Sequence, residues 1–325
     1  MPQQKIIFDT DPGIDDAMAL LYIARSPELQ LVGVTTTHGN NGVDVTTRNA
    51  LYLKQRFGLQ APVAAGAEKP LERVRRHSPT DIHGHNGLGD VPIPDNLSAQ
   101  ADPRPAWRFI VEETQRAPGE IVLVAVGALT NLALALKEDP QIAARVKGVV
   151  VMGGAFGVGG HSGNASPVAE ANILSDPEAA DAVFTAPWPV TVVGLDVTNE
   201  TVMSEAFLRT LKAEGGEAGR FIWDITRVYE AFYRAQTGIE GIACHDCLAV
   251  AFVLDPTLFT LRHGPIRVVT DGLALGQTIQ RHQKRRFAAN AWDGHPAQAV
   301  CVGVDSARFL AGYSKAFGAR SEAHA

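Results

Sequence analysis

The chain has 325 residues, 46% hydrophobic and 20% charged, which is the make-up of a globular protein with a sizeable core and excludes disordered and fibrous classes. Its formal charge of −6, from 29 basic and 35 acidic side chains, argues against a nucleic-acid partner, because neutralising phosphates requires clustered Lys and Arg. Three cysteines (Cys244, Cys247, Cys301) are too few to staple this length, no stretch reaches the roughly 18 apolar residues of a membrane span, and MPQQKIIFDTDPG lacks a secretory apolar core; a cytoplasmic setting is expected.

In chain order, the apolar run Lys5–Asp9 predicts a strand. A helix follows Asp15, carried by Met18, Leu21 and Tyr22 at i, i+3, i+4 spacing. Further strands are expected at Leu29–Thr36, Glu120–Val126, Gly148–Met152 and Val190–Gly194, with helices at Leu129–Lys137 and at Asp176–Phe184, the latter opening on Asp-Pro. Beyond about residue 200 helical periodicity dominates, over Ser204–Lys212, Glu217–Tyr233 and from His245–Asp246 to Leu254. The tail shows strand-like runs at Pro265–Val269 and Arg285–Ala291 and a last helix at Ser306–Ala316. Strands alternating with helices imply an α/β fold with an open, mostly parallel, Rossmann-like sheet. A helical region covers its C-terminal strand ends. With no repeat and no linker, residues 1–325 are expected to form one domain.

Ligands in such sheets bind at the C-terminal strand ends. There the chain places Asp9 and Asp11, His38-Gly39-Asn40, Gly127 with Asn131, and Gly153-Gly154. Four Asp fall within positions 9 to 16, at a strand-to-helix turn forced by Pro12-Gly13. Helix capping accounts for one or two of them. Four neighbouring carboxylates repel, and a hard cation such as Mg²⁺ or Ca²⁺ relieves that conflict. A metal site is therefore favoured over a capped, solvated turn. FDTD also suggests a phosphatase with the first Asp as nucleophile, but Gly13 departs from that pattern and no late acidic motif accompanies it.

IIFDTDPGIDDAMAL resembles the signature of the inosine–uridine preferring nucleoside hydrolases. HGN at 38–40, IHGHNGLGD at 82–90, VGALTN at 126–131, MGG at 152–154, NASPVAEAN at 164–172 and HD at 245–246 follow in order, so the resemblance covers about residues 5 to 316. It implies hydrolysis of the N-glycosidic bond of ribonucleosides to ribose and free base, with one Ca²⁺ held by Asp11, Asp16, Asp246 and the backbone carbonyl of Val126. It further implies Asp11 as the general base and an oxocarbenium-like transition state. Asp15, Asn40, Asn164, Glu170 and Asn172 would bind ribose, with Met152 also in the substrate site. Without the resemblance, 164–172 reads sooner as a solvated turn. Asp9 would stand behind the site.

His245 next to Asp246 matches the family's His-Asp pair, which protonates or hydrogen-bonds the leaving base; alone, such a His is more often structural. The purine-specialised branch has Trp there, so breadth over inosine and uridine is expected, with pyrimidine-specific (cytidine/uridine) hydrolysis the alternative. From another class, a non-catalytic nucleoside- or ribose-binding protein would have lost base or metal ligands, yet all three Asp are present. His83 would lie at the base pocket and His85 at an exposed position. Tyr229 and Tyr233 either line that pocket or pack in the core at i, i+4. The relatives imply a homo-oligomer, dimer or tetramer. CxxC at 244–247 has no second pair for zinc, the Gly-rich run 153–163 lacks phosphate-binding spacing, and HQKRR at 282–286 reads as a solvated turn.

Overall fold

The computed structural model describes residues 3–318 apart from 284, 286 and 287. Twelve strands occur among them: β1 Gln4–Thr10, β2 Leu29–Thr36, β3 Val63–Ala65, β4 Ile121–Ala125, β5 Gly148–Met152, β6 Val190–Val193, β7 Val202–Ser204, β8 Gly241–Ala243, β9 Phe259–Gly264, β10 Ile266–Val268, β11 Thr278–Gln280 and β12 Gln298–Val304. Eight form one sheet in the order β3-β2-β1-β4-β5-β6-β12-β9. All its pairings are parallel except β12 with β9. β7–β8 and β10–β11 are small antiparallel ribbons.

The central strands are apolar on both faces because helices cover both. Ile6, Phe8, Val122 and Val124 join the core on one side, and Ile7, Ile121 and Leu123 join the core on the other. Burying each such side chain stabilises the fold by roughly 1.5–3 kcal/mol. The sheet order reverses between β1 and β4, which opens a crevice at their C-terminal ends. Asp11 follows β1 and Val126 follows β4, so both edges of the crevice carry expected site residues.

The expected strands and helices before residue 200 form within a residue or two of their expected ends. Later helices span Glu205–Glu214, Gly216–Thr237, Asp246–Leu254 and Ser306–Ala316. Arg285–Ala291 is different. Residues 286 and 287 of that run, and 284 and 286 of HQKRR, lie outside the described residues, and 288–291 form no strand. Asn290 instead closes a turn: its Oδ1 accepts from Trp292 N at 2.9 Å and its N–H donates to Asp293 Oδ2 at 3.0 Å. The strand lies further on, at β12, pairing between β6 and β9. Among the described residues no helix is long and apolar enough to cross a membrane.

Candidate active site

The turn after β1 forms the floor of a cavity of about 650 Å³, a volume suited to a small organic ligand. Asp16, in the first turn of the helix Ile14–Ala24, is fully engaged. Its Oδ1 accepts from the Thr10 hydroxyl and from Asp11 N (3.1 Å), and its Oδ2 accepts from Gly13 N (2.9 Å) and Asn40 Nδ2 (3.0 Å). Capping thus explains Asp16 alone. Asp11 Oδ2 accepts from Asn40 N at 2.6 Å, while Asp11 Oδ1 and Asp15 Oδ1 are buried without a hydrogen-bond partner among the described residues. A Cβ at Gly39 or Gly127 would collide with the Asp11 carboxylate, so both glycines are required by its position. Asp246, which opens the helix Asp246–Leu254 after β8, completes the floor. Carboxylate oxygens of Asp15, Asp16 and Asp246 lie within 4.8 Å of one another.

Burial holds the Asp11 carboxyl well above the usual range, with the charge of Asp16 adding to it. Burial likewise pushes Asp15 up to about 6 and, with Asp15 beside it, Asp16 up to about 6. Asp246 is raised well above its ordinary value by burial and by the other three. Unpartnered buried oxygens and an all-oxygen donor set fit a hard divalent cation, whose charge would let these groups ionise together. Asp9 stands behind them. Its Oδ2 accepts from Thr35 Oγ1 (2.6 Å) and Asn131 Nδ2 (2.8 Å), and burial pushes it up to about 7.

The other walls are built by remote segments. Asn172 Nδ2 donates to the carbonyls of Val126 (2.9 Å) and Met152 (3.2 Å), tying the 164–172 loop to the ends of β4 and β5. Asn164 Oδ1 accepts from Ala171 N at 3.0 Å. Glu170 is the N-cap of the helix Ala171–Ser175. Its Oε1 accepts from Asn172 N (2.8 Å), and its Oε2 accepts from Gly154 N (2.9 Å) and Ile173 N (3.1 Å). His83 Nδ1 accepts from Ile14 N at 3.2 Å, which leaves the ring proton on Nε2. Burial pushes this ring down to about 4, so Asp15 Oδ1 at 3.9 Å faces a neutral ring rather than an ion-pair partner. His83 stacks on Tyr229 with centroids 5.6 Å apart, and Tyr229 meets Tyr233 edge-on at 4.9 Å. Tyr233 Oη and His245 Nε2 are 2.6 Å apart, and His245 Nδ1 lies 2.8 Å from Thr198 Oγ1. Burial pushes His245 down to about 4.

Residues 6–311 match the model of the inosine-uridine preferring nucleoside hydrolases. The chain belongs to this family. Uridine nucleosidase 1 of Arabidopsis thaliana is 40% identical over 304 residues, 93% of this chain and 89% of that protein. The inosine-uridine preferring nucleoside hydrolase of Leishmania major is 40% identical over 282 residues, 86% and 88% of the two chains. The solved plant nucleoside hydrolase PpNRh1 superposes with a TM-score of 0.94 at 34% identity, over 98% of this chain and 99% of that one. This nucleoside hydrolase chain is accordingly an N-glycosyl hydrolase of ribonucleosides, and the phosphatase and non-catalytic readings are set aside.

Asp11, Asp15, Asn40, His83, Val126, Met152, Asn164, Glu170, Asn172, Tyr229, Tyr233, His245 and Asp246 all line the one cavity, and Asp16 lies buried beneath it. Tyr229 and Tyr233 satisfy both of their readings, being buried in the core while facing the cavity. His85 is exposed, and Cys244 and Cys247 are buried free thiols on either side of His245-Asp246. Sequence reasoning missed Thr198, which fixes the His245 ring, and Arg76, His77, Asn199, Phe232 and Gln236, which also line the cavity. Spacing on the helix Gly216–Thr237 could have found Phe232 and Gln236, since 229, 232, 233 and 236 share one face. No local signal marks Thr198.

Proposed function

We propose that this chain hydrolyses ribonucleosides with inosine–uridine breadth, acting as a single-domain homo-oligomer (dimer or tetramer) in the cytoplasm and holding one Ca²⁺. The observation that carries this is the presence, in one cavity, of an unpartnered buried Asp11 Oδ1 and a Tyr233–His245 pair bonded at 2.6 Å. Asp11, Asp16, Asp246 and the Val126 carbonyl would hold the ion; of these, Asp16 and Asp246 form with Asp15 the group whose carboxylate oxygens lie within 4.8 Å of one another. When bound, the ion supplies positive charge that favours ionised carboxylates and a more acidic attacking water.

Asp11 Oδ1 takes the proton of that water as its oxygen bonds to C1′ of the ribose. The C1′–N bond breaks with its electron pair leaving on the base, through an oxocarbenium-like transition state. Tyr233 and His245 hold one proton on the phenol and one on the neutral ring, and the pair hands one to the departing base. Asp15, Asn40, Asn164, Glu170 and Asn172 present acceptors and amides to the sugar hydroxyls and stabilise the charge developing at C1′. Asn40 already bridges Asp11 and Asp16, so it also fixes the base in place. A pyrimidine-specific hydrolase is the second reading; the Arabidopsis relative, a uridine nucleosidase, favours it.

Ribose release, measured as reducing sugar from inosine, adenosine, guanosine, uridine and cytidine, tests both. Turnover of inosine and uridine with loss on Asp11→Ala is expected. Release from uridine and cytidine alone would establish the second reading, and none from any nucleoside would overturn both.

A further inference from the structure

Two side-chain amides lining the cavity, the half-buried Asn199 and the exposed Gln236, make no hydrogen bond to another of the described residues. Both line the same cavity as the pair proposed to protonate the leaving base. Gln236 lies three residues past Tyr233 on the cavity face of the helix Gly216–Thr237, about 4.5 Å further along its axis and about 10 Å beyond Tyr229. Asn199 directly follows Thr198, whose hydroxyl is 2.8 Å from His245 Nδ1. The stripe on that helix thus runs from Tyr229, stacked on His83, through Tyr233, bonded to His245, to Gln236. Next to these amides the wall is aromatic, with Phe232 edge-on to Tyr233 at 5.9 Å, which suits the faces of a flat base and leaves its polar edge to be met.

Resting on the nucleoside hydrolase reading above, we infer that Gln236 and Asn199 read the hydrogen-bonding edge of the base. A carboxamide carries a donor and an acceptor side by side. It therefore pairs with the –NH–C(=O)– edge shared by uracil and hypoxanthine. Turned over about its last torsion, it pairs equally with the –N=C(NH₂)– edge of cytosine or adenine. Such readers demand a polar edge without fixing its polarity, which is the physical basis for breadth over purines and pyrimidines alike. A carboxylate, which only accepts, or an ammonium, which only donates, would match just one of the two groups on either edge.

The test is steady-state ribose release from uridine and 3-methyluridine by the full-length protein, Gln236→Ala and Asn199→Ala. Neither amide bonds another of the described residues, so truncation removes none of the hydrogen bonds described above. Each variant is expected to raise the KM for uridine roughly three- to tenfold, with kcat within about twofold, as for loss of one hydrogen bond to substrate. Methylation at N3 is expected to lower kcat/KM of the unaltered protein by roughly tenfold, and this penalty should shrink at least threefold in each variant, since the methyl and the amide meet at one place. An unaltered protein indifferent to methylation would overturn the inference, and a penalty unshifted in either variant would overturn the assignment of that residue. Normal uridine turnover with both penalties unshifted sinks this inference alone, whereas no ribose release from any nucleoside sinks the hydrolase reading with it.

Discussion

The floor and the aromatic wall of the cavity are built on opposite principles. The floor is a knot of carboxylates at strand ends, fixed by backbone N–H groups and by glycines that leave no room for movement around Asp11. The wall is borne by one long helix and by single residues from distant loops, joined through His83–Tyr229 stacking and the Thr198–His245–Tyr233 chain. On the mechanism proposed above, chemistry that every substrate shares falls where the sheet enforces position. On the same proposal, recognition of the part that varies falls where one helix face can change without disturbing the sheet.

The comparison can be broken from either side. Replacing Asp11 by Ala or Asn should lower kcat about 10³- to 10⁴-fold in ribose release whatever the base, because the proton acceptor is gone. A base-dependent loss would mean that floor and wall are not separable. Chelation followed by calcium should abolish and restore activity, and calcium at about 100 times its Kd should add roughly 2.7 kcal/mol of stability in thermal melts. Asp246→Asn should lose most of that gain, while His245→Ala should keep it. His245→Ala should slow natural nucleosides about 100-fold yet barely affect 4-nitrophenyl riboside, whose leaving group needs no proton. Equal losses on both would place His245 on the floor's side of the divide. Thr198→Val, which deletes only the bond that aims the ring, should cost roughly three- to tenfold in kcat on the same natural substrates.

How far the sequence could be read follows the same divide. The floor was legible because Asp9, Asp11, Asp15 and Asp16 are consecutive with a strand, a Pro-Gly turn and a helix start, so local rules place them together. Asp246 reached the site only through resemblance, since no spacing rule links it to residue 11. On the wall, pairings such as Thr198 with His245 or Asn172 with the Val126 carbonyl join residues 46 or 47 apart and leave no periodic trace. Glu170 is a helix N-cap that no preference rule would pick, because capping favours the shorter Ser, Thr, Asn and Asp. Among the strands, Arg285–Ala291 reads as one from the sequence, whereas β12 at Gln298–Val304 goes unread. A short apolar run does not announce whether turn chemistry at Asn290 and Asp293 will close it first.

Glu170 also says which end of this enzyme can be redesigned. Its carboxylate receives three backbone N–H groups and starts a helix, so an exchange made to admit a different sugar would also unmake a piece of scaffold and would have to bring its own cap. The side chains of Gln236 and Asn199 line the cavity and make no hydrogen bond to another of the described residues. New base preferences should be reachable by single substitutions, while new sugar preferences should require coordinated ones.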